Sequence, residues 1–211
     1  MPPCWMALKK LHGWSAWLLM TFALLHLVNH LIGLAGVEAH IAVMSSLREV
    51  YRVPVVETVL LASVALQACS GLLLVVRGWR QRRGLVPWMQ AGSGTYLAFF
   101  LLNHVGAVMY GRMVMNLDTN IHFAAAGFFA HPFQFFFAPY YFLAVWMLFI
   151  HLGCAAYWRV QDRSELVRVL AVGLPAGMGL AISLLILLVL SGTLHPFNVP
   201  AKYLAVFGAH P

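Results

Sequence analysis

Residues 24–30 read Leu-Leu-His-Leu-Val-Asn-His. They lie inside an apolar run from about Trp14 to Leu34. As an α-helix rising about 1.5 Å per residue, such a run crosses a ~30 Å hydrocarbon core. Ionisable side chains inside a membrane helix are rare, and those retained usually face the bundle interior and carry function. His26 and His30 are four residues apart and share one helix face. His104 and His151 sit deep in other apolar runs. Buried histidines on separate helices point first to a metal centre such as haem.

Composition supports the membrane reading. Of 211 residues, 62% are hydrophobic and only 9% charged, whereas a soluble domain is about a quarter charged. The chain therefore reads as one multi-pass membrane domain, 1–211, with no separate soluble module. The net charge of +7 does not imply nucleic acid, because the basic residues gather at helix ends, where they set orientation. Cys4, Cys69 and Cys154 are scattered without a Cys-x-x-Cys pair, which argues against a disulfide framework or an iron–sulfur site. Serine hydrolase, P-loop and dinucleotide signatures are absent.

Five apolar runs stand out, at about 14–34, 56–76, 87–110, 137–158 and 169–191. They predict an all-α, five-helix transmembrane bundle. Lys9 and Lys10 precede the first run, which is too long for the core of a signal peptide and reads as a retained helix. On one side of the membrane lie nine basic residues: Lys9, Lys10, Arg77, Arg80, Arg82, Arg83, Arg159, Arg163 and Arg168. The other side has four: Arg48, Arg52, Arg112 and Lys202. This asymmetry predicts an amino terminus inside and a carboxyl terminus outside. Glu38 to Tyr51 is moderately amphipathic and reads as an outer surface segment. The Phe-rich stretch from Arg112 to Phe136 reads as folded against the same interface. The basic loop Arg77-Gly-Trp-Arg-Gln-Arg-Arg-Gly reads as a topology signal in contact with lipid headgroups, or else as a dock for a soluble partner.

Counting residues from each run's midpoint places the polar groups in two layers. His26, His30 and His104 fall in the outer half. His151 falls on the inner half and Gln67 at or just inside the centre, and these two form the inner layer. Two axial imidazoles on facing helices need matched depth, which the first and third runs supply through His26 and His104. Gln is not a usual axial haem ligand. A hydrogen-bonded packing role is the simpler alternative for His30 and His151. A proton relay fits poorly, because no Asp or Glu lies inside a run and Glu57 only opens the second. Zinc fits poorly too, since the cysteines are not at the depth of the outer histidines.

These residues resemble a known family, the single-chain five-helix cytochrome b anchor of succinate:quinone oxidoreductases and fumarate reductases. The similarity rests on several short motifs. They are Lys9-Lys10-Leu11-His12, His26-Leu27-Val28-Asn29-His30, Ala42 and Met44 ahead of Glu57, Gln90 and Gly94 ten residues before His104, and Ile150-His151. The resemblance covers residues 9 to 158 and is weak beyond. It implies a haem b electron-transfer subunit of a bacterial inner membrane, with His26 and His104 as axial ligands to the haem iron. It also implies quinone as a mobile substrate, and flavoprotein and iron–sulfur subunits docked on the cytoplasmic face. An inner haem would use His151 and the second-run position that here is Gln67, a departure from the family's His. Ala91, where the family often has Arg, is a second departure. The rival reading is a stand-alone scaffold or assembly protein of the same fold that has lost one or both haems.

Overall fold

Side-chain chemistry along the chain favours helix almost everywhere, and the computed structural model describes residues 3–208, with side chains from Met6 onward. The helices are α1 (Pro3–Ile32), α2 (Val37–Tyr51), α3 (Pro54–Arg77), α4 (Leu85–Met113), α5 (Ile121–Phe129), α6 (Gln134–Arg159), α7 (Glu165–Leu190) and α8 (Ala201–Leu204). No strand occurs among the described residues. Pro54 starts α3, where a missing N–H costs nothing. Asn120 caps α5 by accepting from the His122 N–H at 2.9 Å. Ser164 caps α7 by accepting from the Val167 N–H.

Four helices are long and apolar enough to cross a membrane: α1, α3, α6 and α7. The expected fifth, α4, has the length at 29 residues but is less apolar. Gln90, Ser93, Thr95, Tyr96, Asn103 and His104 dilute it. Each long helix also runs past its apolar stretch. The first begins at Pro3 instead of about Trp14, because nothing in Lys9-Lys10-Leu11-His12 breaks a helix. Cys4 lies outside the residues whose side chains are described.

The long helices pack in chain order, α1 on α3, α3 on α4, α4 on α6 and α6 on α7, and α7 also meets α1. Contact between α6 and α7 is the most extensive, and glycines permit it. A Cβ on Gly153 would sit 3.1 Å from backbone atoms of Val172, and one on Gly179 would sit 2.5 Å from the Cβ of Phe149. Small residues are how helices approach where lipid removes the hydrophobic drive to associate. Gly33 lies against Val189, bringing α7 onto the end of α1.

The buried core lies towards that end of the bundle. Leu27, Ile121, Ala125, Phe149, Ile186, Val189, Leu190 and Tyr203 form it. There α5 and α8 cover the helices. Elsewhere large apolar side chains such as Val28, Val59, Phe99, Leu174 and Leu184 remain exposed, as expected of a lipid-facing surface. Buried hydroxyls are satisfied locally: Ser63 donates to the Val59 carbonyl at 2.7 Å and Ser183 to that of Gly179 at 2.7 Å.

Candidate functional site

Seven-residue spacing along α1 places His12, Leu19 and His26 near one stripe, with Ser15, Phe22 and Asn29 interleaved between them. That stripe builds two polar layers against the other helices.

The layer next to α2, which the sequence reading places on the outer side, holds four imidazoles. The ring centres of His26 and His30 are 4.7 Å apart, and those of His26 and His104 are 6.0 Å apart. The sequence-predicted set of His26, His30 and His104 is thus brought together. Helix α1 nevertheless does not pack on α4. The two helices meet through side chains across a gap. Phe22 stacks on His26 at 5.8 Å, and Phe100 stacks on His104 at 5.0 Å. Among the described residues neither His26 nor His104 makes a hydrogen bond, so the nitrogens of both rings are uncommitted.

The fourth imidazole, His40, was not expected. It comes from α2, whose amphipathic turns lie over the end of α1. Its ring is 5.2 Å from that of His30, and Asn29 Nδ2 donates to its Nε2 at 3.2 Å. His40 and Asn29 are 2% and 4% exposed. Asn29 Oδ1, His30 Nδ1 and His40 Nδ1 are all buried without a partner. Burial first, then nearby His26 and Arg48, pushes the His40 pKa down to about 4. Arg48 pairs with Asp118 at 2.6 Å and Arg52 donates to Thr119 at 3.2 Å. Both contacts tie α2 to the segment before α5. Arg112 of α4 is paired with Glu57 of α3 at the same end.

The inner layer differs from its sequence reading. Gln67 does not stand open to a cofactor. Its Oε1 accepts from Ser15 at 2.6 Å and its Nε2 lies 3.1 Å from His12 Nε2. The other ring nitrogen of His12 lies 2.8 Å from Ser70 Oγ. His12, expected to be part of a lead-in, is therefore a full member of this layer. His151 Nδ1 contacts Ser93 Oγ at 3.1 Å and the Gln90 carbonyl at 3.2 Å, leaving Nε2 as its unbonded nitrogen. Gly94 admits the ring, since a Cβ there would sit 3.0 Å from His151 Cε1. Gly71 does the same for His12 at 3.2 Å.

Among the described residues no group of three or more His, Cys, Asp or Glu is arranged around a point that could hold a metal ion. A four-ligand zinc site is therefore not formed by them, whereas a haem asks for only two axial donors. Compared with family models, with curated proteins and with solved structures, the chain gives no match.

The α1 stripe was a signal that could have found His12. The helical pattern ending in Tyr51, entered after Gly36 with a φ of 116°, could have turned His40 back onto His30.

Proposed function

We infer that this chain is a haem b electron-transfer subunit of a bacterial inner membrane, linked to the quinone pool, with α4 as a fifth span and the amino terminus inside. The observation that carries the reading is the spacing of His26 and His104. Their ring centres lie 6.0 Å apart, across helices that share no extensive backbone contact. These two imidazoles would hold the haem iron.

The donor set fits the group. Both rings have uncommitted nitrogens, and the buried Nδ1 of His30 lacks a partner and would meet a propionate carboxylate. Bound haem b would supply reversible one-electron transfer at a potential set by its axial ligands and surroundings. The chain's own residues do the rest. Phe22 and Phe100 hold the two rings and keep water away from them. Asn29 and His40 close the outer end. The inner layer satisfies its own hydrogen bonds through His12, Ser15, Gln67 and Ser70, which favours a single outer haem. The same self-satisfied layer is what favours the scaffold reading. Flavoprotein and iron–sulfur partners would dock on the inner face, near Arg159 and Arg163.

The test is an absorption spectrum of protein expressed with ample haem. One low-spin haem b per chain is expected. His104→Ala should abolish that signal, while His151→Ala should leave it largely intact. Protein without haem under these conditions would overturn the electron-transfer reading in favour of the scaffold.

A further inference from the structure

The inner ends of α3 and α4 carry a feature that the haem reading does not use. Two hollows flank the indole of Trp79. One is edged by two arginines, with Val76, Arg77, Arg80 and Gln81 in its lining. The other is a groove of about 480 Å³ running between α3 and α4. Val75, Trp88, Ala91, Gly92, Tyr96 and Phe99 make most of its lining, which is almost entirely apolar.

The loop between the helices is held in one shape. Trp79 and Trp88 meet edge to face at 4.7 Å. The Arg82 guanidinium lies 5.8 Å and 5.7 Å from the two ring centres and donates to the Leu74 carbonyl at 3.3 Å. Arg83 bonds back to the carbonyls of Arg80 and Arg82. Arg77 and Arg80 are exposed and, among the described residues, their guanidinium groups make no hydrogen bond or ion pair. No Asp or Glu occurs between Glu57 and Asp118 to neutralise them.

We propose that this junction binds one anionic phospholipid, its phosphate at Arg77 and Arg80 and an acyl chain along the α3–α4 groove. The two hollows match the two halves of such a molecule, and Trp79 stands between them, at the level where indoles sit in a bilayer. Charge fixes the headgroup: two free guanidiniums favour an anionic lipid over a zwitterionic one. The groove fixes the source of the phosphate as a lipid, because a free anion would leave the apolar hollow unfilled. The proposal does not depend on haem.

The test is native mass spectrometry of the full chain in mild detergent, titrated with phosphatidylglycerol and, separately, phosphatidylcholine. Wild type should retain phosphatidylglycerol preferentially, at one per chain. Arg77→Gln with Arg80→Gln should lower that retention by roughly fivefold per arginine removed. Gly92→Leu should lower retention of both lipids, because it fills the groove; a Cβ at Gly92 meets nothing within 4 Å, so packing is spared. Inorganic phosphate should not displace the lipid. Equal retention of the two lipids, unchanged retention in Gly92→Leu, or displacement by inorganic phosphate would each overturn the proposal. If Gly92→Leu fails to fold, the exposed arginine pair alone decides the matter through lipid preference.

Discussion

His40 offers a quantitative check on the outer layer. It is 2% exposed, and its pKa lies at about 4 in the folded chain against about 6.5 unfolded. The unfolded chain therefore binds a proton that the folded chain refuses. The resulting stability is fully present above about pH 6.5 and is lost as pH falls towards 4. Between about pH 7.5 and about pH 5 the loss attributable to this one ring is up to about 2 kcal/mol. For a chain of this size that is a fall of roughly 4–8 °C in unfolding midpoint. Other histidines also titrate, so the informative quantity is the difference between wild type and His40→Asn at each pH. Tryptophan fluorescence during heating in mild detergent measures it. The wild type should lose more stability on acidification than His40→Asn, by about the amount given above. A difference independent of pH would show that His40 is solvated and that α2 does not seal the cluster.

Gly179→Val should lower the unfolding midpoint by overpacking against Phe149, at a cost of about 1–3 kcal/mol, while Gly173→Val on the same helix, where a Cβ meets nothing within 4 Å, should be far milder by the same measurement. Glu57→Gln leaves Arg112 without its charged partner at a half-buried position and should cost about 1–3 kcal/mol in thermal unfolding. A reporter fused after Pro211 should be active in the periplasm, and cytoplasmic activity would reverse both the orientation and the assignment of inner and outer layers.

The long helices were legible because length and apolarity are local properties. The capped, lengthened ends were not, since Lys9, Lys10 and His12 are as compatible with helix as with loop until α3 supplies Gln67 and Ser70 to bond. Depth could be counted along each run, and it grouped His26, His30 and His104 correctly. Counting within apolar runs left out His40, because α2 is not such a run and its placement depends on the turn at Gly36 and on Arg48 finding Asp118. The hydrogen bonds of Gln67 were hidden for a related reason. Its partners Ser15 and His12 lie 52 and 55 residues away, and no pattern within α3 announces them.

The order in which the helices pack has a consequence for how the molecule is made. Each long helix rests mainly on the one synthesised just before it, so the bundle can grow by adding one neighbour at a time, with short stretches of chain to close at each step. The pair of His26 and His104 breaks this rule, since α1 and α4 are joined only by what lies between them. Until α4 has joined the bundle, His26 has no His104 opposite it, and until α7 reaches Gly33 the ring of helices is open on one side. A nascent chain halted after α3 would already carry two long apolar helices, yet of the four clustered imidazoles it would lack His104.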